Sequence, residues 1–62
     1  MDELAYARYY QNERKARELY LAIRDLYGWG YTWAQTYFMA IKDKMLSKEE
    51  KELLKQFYPI KF

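Results

Sequence analysis

Hydrophobic and polar positions follow a helical period along most of this chain. Ala5, Tyr9, Asn12, Ala16, Leu19, Ile23 and Leu26 recur at alternating spacings of four and three, the seam of a helix that faces a neighbouring helix. Tyr20 and Tyr27 widen the seam, which predicts a first helix from about Asp2 to Tyr27. Asp2 and Glu3 then stand at the positive end of its dipole. Ala34, Tyr37, Phe38, Ile41 and Met45 share one face of a second helix, from about Trp33 to Met45, while Lys42 and Asp43 point away. Leu53, Leu54 and Phe57 turn inward on a third, from about Lys48 to Tyr58, and Pro59 stops it. The pattern predicts an all-α fold in one domain over residues 1–62: a three-helix bundle with a long first helix and two shorter helices.

The residues between these elements support the same boundaries. Both glycines of the chain fall in "DLYGWGYTW". Gly28 sits where the first helix must end, in the left-handed position that is cheap for glycine. Trp29 is placed to pack back on Ile23, and Gly30 permits a second unusual backbone angle. A phosphate-cradling loop needs more glycines, a Lys with Ser or Thr, and a preceding strand, so a turn is the expected reading. "TWAQ" and "SKEE" are capping boxes that start the second and third helices. Only Leu46 and Ser47 join those helices, so they are expected to be close neighbours.

Helix lengths expose a mismatch. At ~1.5 Å per residue the first helix is roughly 37 Å long, the second about 20 Å and the third about 17 Å. An up-down-up bundle covers only the C-terminal half of the first helix, and the part from Leu4 to Lys15 projects with Tyr6, Tyr9 and Tyr10. The tail covers it, the helix breaks near Asn12, or another molecule packs there.

Composition narrows the chemistry. A chain of 62 residues has little surface to bury and needs a staple, a partner or very regular packing. It has no Cys and no His, which removes disulfides, thiolates, the commonest metal ligand and the commonest neutral-pH base. No metal site, cofactor or catalytic residue is expected, and Glu49, Glu50 and Glu52 read as charge at a helix N-terminus rather than an acid–base pair. Val is absent, and the helix formers Ala, Leu, Glu, Lys, Arg and Met dominate. The net charge of +2 is spread along the chain, a setting for solubility rather than a footprint for nucleic acid or membrane. No apolar run has the length of a spanning helix and no signal peptide is visible. The expected setting is cytoplasmic, or a recombinant product without a natural compartment.

The second face of the first helix carries the functional expectation. At 100° per residue, Tyr6, Tyr10, Arg14, Arg17 and Leu21 fall together, opposite the seam. Tyr and Arg are enriched at binding hot spots, and Tyr10 and Arg14, four apart, are spaced for a cation–π pair. Glu13 and Glu18 can hold the arginines in place, and Tyr9 anchors the overhang. Asn12 in the seam either sets register in a helix contact or is wet. The expected function is a non-catalytic interaction module that self-associates or binds a protein through these residues.

Two other readings carry different signals. Three helices and a basic pI suit a small DNA-binding protein, and Arg8, Arg14, Lys15, Arg17 and Arg24 form a basic face. A reading helix, however, would present "SKEEKE" to the phosphates, so nucleic acid is not favoured. The aromatic surplus leaves room for a groove that takes a peptide or a small aromatic ligand, although no convergent polar groups mark one in the sequence.

"NERKARELYLAIRDL" and "LSKEEKELLKQF" resemble the helices of computationally designed mini-proteins, in capping boxes, surface helix formers and the lack of Cys and His, over about two-thirds of the chain. The resemblance implies a stable helical scaffold. "YGWGYTWAQTYFM" departs from it, with two Trp, several Tyr and Met39, and that departure points to an interaction surface.

Overall fold

The computed structural model describes residues 3–60 and has three helices: α1 (Glu3–Tyr27), α2 (Trp33–Lys42) and α3 (Lys48–Phe57). The start expected at Asp2 and the last two residues of the tail lie outside the described residues. α1 is continuous through Asn12, so no break occurs there. Its 25 residues span ~37 Å at the usual rise, close to the 39 Å long axis of the molecule.

Each helix end shows which local signals the sequence carries. Gly28 has φ 93° and donates its N–H to Arg24 O at 2.8 Å, the single bond of a left-handed cap. Gly30, expected to need an unusual angle, is not in the left-handed region. Thr32 and Ser47 each accept from the backbone N–H three residues on, and Gln35 and Glu50 accept from the Thr32 and Ser47 N–H in return. Both capping boxes therefore form as expected.

α2 stops at Lys42, three residues short of the expected Met45. Lys44 is left-handed at φ 56°, Lys44 N–H donates to Ile41 O and Met45 N–H donates to Ala40 O, each at 3.0 Å. That is a Schellman cap formed without glycine, which throws Met45 outward at 49% exposed. A lysine in this conformation stores strain that glycine does not. Lys44→Gly should therefore raise stability by about 0.5–1 kcal/mol, and Gly28→Ala should lower it by about 1–2 kcal/mol. Urea unfolding followed by circular dichroism checks both signs.

The core lies against the C-terminal half of α1. Ile23, Tyr37, Ala40, Leu46 and Leu54 form one buried cluster, with Leu19, Tyr20, Trp33 and Tyr58 packed around it. Ala16 and Ala40 have no exposed surface, so no bulky side chain holds the neighbouring helix away there. Leu26 and Phe38, expected on core faces, are instead 58% and 50% exposed. Tyr27 takes the inward position at the end of α1, and its hydroxyl donates to Asp43 Oδ2 at 2.6 Å. That hydrogen bond, then burial and the nearby carboxylate charge, raises the Tyr27 phenol pKa above the usual tyrosine value.

The path of the chain differs from an up-down-up bundle. Tyr20 packs on Trp33, Arg24 donates to Thr36 Oγ1 and Tyr27 donates to Asp43. These contacts ascend α1 and α2 together, so α2 crosses α1 in the same sense. The turn first doubles back along α1, and α3 then runs the other way, from Leu19 beside Glu50 and Leu53 to Tyr9 beside Phe57. Nor are α2 and α3 close neighbours, because their Cα atoms stay more than 8 Å apart. Aromatic side chains bridge the space: Trp33 Nε1 donates to Tyr58 O at 2.9 Å, and Tyr58 stacks on Tyr20 at 4.4 Å.

Arg24 fixes the returning turn. Its Nη1 donates to Tyr31 O at 2.7 Å and to Thr36 Oγ1 at 3.3 Å. Its guanidinium lies 4.9 Å from the Trp29 ring centre and 5.8 Å from that of Tyr20. Trp29 in turn donates to Asp25 Oδ1 at 3.0 Å. The contacts of Trp29 are thus with Tyr20, Arg24 and Asp25, where packing on Ile23 was expected.

Candidate interaction surface

The N-terminal third of α1 carries the surface built from tyrosine. Residues 3–11 are all exposed although the helix is regular. Tyr6, Tyr9 and Tyr10 stand at 51%, 50% and 54% exposure, and Leu4 at 69%. Side chains four apart on a helix meet, and Tyr6 and Tyr10 do so edge to face with ring centres 4.8 Å apart. Their hydroxyls hydrogen bond at 2.9 Å, and either can donate. That bond, followed by desolvation and the charges of Glu13 and Tyr9, raises the Tyr10 pKa above the usual tyrosine value. The two rings are oriented by each other, which lowers the side-chain entropy lost when a partner covers them.

The arginines of the face point along the helix rather than onto the rings. Arg17 Nη2 donates to Glu13 Oε1 at 3.1 Å, and Arg14 Nε lies 3.7 Å from Glu18 Oε1. The expected Tyr10–Arg14 cation–π pair is not made. Tyr10 packs on Tyr6 and Tyr9, Arg14 pairs with Glu18, and Arg24 makes the cation–π contacts instead. Exposed pairs of this kind contribute only ~0.3–0.5 kcal/mol each. Their larger effect is to neutralise the face. Tyr10, Glu13, Arg14 and Arg17 line one shallow depression of about 390 Å³. Leu21 extends the stripe at 42% exposure, about 16 Å along the axis from Tyr10 at the usual rise.

Tyr9 and Asn12 are placed differently from the simple overhang. Phe57 reaches Tyr9 with ring centres 5.3 Å apart, so α3 covers one side of it. Asn12 is half-buried, and together with Lys15 it lines a depression with Glu49, Glu52, Leu53 and Gln56 of α3. The overhang is thus shorter than Leu4 to Lys15. Glu3 to Arg8 remain exposed, as does Tyr10 at 54%.

Sequence reasoning placed Arg24 in a basic face and missed its part in the turn. Arg14, Arg17 and Arg24 are all engaged within the chain, which weakens that face as a contact for phosphates. Among the described residues no group of His, Cys, Asp or Glu is arranged to hold a metal ion, and no helix is long and apolar enough to cross a membrane. Compared with protein families, characterised proteins and solved structures, the chain has no significant match.

Proposed function

We propose that this chain is a non-catalytic helical interaction module whose partner is a second copy of itself, met through the N-terminal half of α1. The observation that carries the reading is the group of half-exposed tyrosines, Tyr6, Tyr9 and Tyr10, on a continuous helix that no described residue covers on their outer side. Apolar and aromatic surface held open on a regular helix is a contact in waiting. A second copy suits it because the two arginines of the face are already balanced by Glu13 and Glu18. In a two-fold contact each face meets itself, and a neutral face of Tyr and paired Arg does so without like-charge repulsion. Tyr6, Tyr10, Arg14 and Arg17 supply the centre of the contact, with Leu21 at one end and Tyr9 at the edge beside Tyr10.

Sedimentation equilibrium tests the reading. The chain should weigh as a dimer at high concentration and dissociate on dilution. Tyr10→Ala with Arg17→Ala should weaken the association at least about tenfold, which is ~1.4 kcal/mol, and leave the thermal unfolding of the monomer nearly unchanged. A monomer at every concentration, or a dimer indifferent to both changes, contradicts it.

A further inference from the structure

The separation of α2 and α3 leaves a groove lined by neither Tyr6, Tyr9 nor Tyr10. Its volume is about 560 Å³, within the ~300–1,000 Å³ common for small-molecule sites. Phe38 and Ile41 of α2 form one wall, Lys51 and Lys55 of α3 the other, and Ile60 closes one end. Tyr37 belongs to the lining and is only 4% exposed. Three features need an occupant of one chemical kind.

The first is an unsatisfied donor. The Tyr37 hydroxyl is buried and has no hydrogen-bond partner among the described residues. Burial raises its pKa above the usual tyrosine value, so it keeps its proton at neutral pH. A buried hydroxyl left unpaired costs about 1–3 kcal/mol, and a small shift of the Tyr37 ring, which already lines the groove, lets an acceptor bound there recover that. The second is charge. Lys51 and Lys55 are one turn apart on the same side of α3, and the ion pairs among the described residues involve neither. The third is an aromatic and aliphatic wall, with Phe38 standing 50% exposed.

We infer that the groove binds a small aromatic carboxylate. Its ring lies against Phe38, Ile41 and Ile60, and its carboxylate meets the lysine pair and offers the acceptor that Tyr37 lacks. Charge decides against a neutral or cationic ligand, because two ammonium groups flank the apolar surface and no described carboxylate balances them. This site is separate from the self-association surface, so either can fail without the other.

The probe is 2-naphthoate, with 2-naphthamide as its neutral counterpart, titrated into the full chain and followed by amide chemical shifts. Naphthoate should shift the resonances of Phe38, Ile41, Lys51 and Lys55 saturably and bind about tenfold more tightly than the amide. Lys51→Gln with Lys55→Gln should abolish that preference while leaving amide binding unchanged. Tyr37→Phe should weaken naphthoate severalfold without destabilising the free protein, since it removes an unpaired hydroxyl. No saturable shifts, shifts confined to α1, or equal affinity for acid and amide overturns the proposal.

Discussion

Leu54→Ala lowers the unfolding free energy by about 2–5 kcal/mol. Leu54 has no exposed surface and joins the core of Ile23, Tyr37, Ala40 and Leu46. Truncating it removes transfer free energy and leaves a cavity between α3 and its neighbours. A chain of 62 residues has a total stability of only roughly 3–9 kcal/mol at 0.05–0.15 kcal/mol per residue. The variant is therefore expected to be largely unfolded at 37 °C. Leu26→Ala makes the same chemical change at a site 58% exposed and should cost less than about 1 kcal/mol. Urea denaturation of the two variants checks the contrast. Equal losses would mean that the core is not where Ile23 and Leu54 place it.

Arg24→Met lowers stability by about 2–4 kcal/mol, an effect far above that of an ordinary surface arginine. The substitution keeps an apolar stem and removes the guanidinium. It deletes a charged hydrogen bond to Tyr31 O, usually about 1.5–3 kcal/mol, and leaves that carbonyl and the Thr36 hydroxyl short of a donor. It also deletes the contacts with the Trp29 and Tyr20 rings, about 0.5–1 kcal/mol at exposed sites. Arg24→Lys should recover only part of the loss, because an ammonium cannot bond the turn and spread over two rings at once. Thermal unfolding gives the magnitude, and Trp29 fluorescence in the folded variant reports release of the turn. A change below about 0.5 kcal/mol would show that the turn is fixed by something else.

What the sequence made legible was whatever a few neighbouring residues decide. Thr32 with Gln35 and Ser47 with Glu50 are four-residue patterns, and each formed the box it spells. Gly28 marks its own cap. The end of α2 was missed because the left-handed residue is Lys44, and nothing in a lysine announces that conformation. The face of Tyr6, Tyr10, Arg14 and Arg17 follows from helical arithmetic, but the partners within it do not. Arg14 chose Glu18 over Tyr10 because a carboxylate four residues on competes with a ring four residues back.

The tertiary path was hidden for a different reason. The turn doubles back because Arg24 binds Tyr31 and Thr36, seven and twelve residues away, and such a contact has no periodic signature. Phe57 on Tyr9 shortened the overhang in the same way. The groove was invisible because it needs Tyr37 from α2 and the Lys51–Lys55 pair from α3 at one place, while bulky Trp33 and Tyr58 keep the two backbones apart. In the sequence those lysines look like the solvated face of an amphipathic helix.

Amide hydrogen exchange of residues 4–11, recorded at low and high protein concentration, tests the central claim most directly: the early turns of α1 are helical yet depend on a second chain for cover. Protection there should rise steeply with concentration, while the Ile23 and Leu54 amides stay at a constant high level. Protection that is the same at both concentrations, whether high or absent, contradicts it.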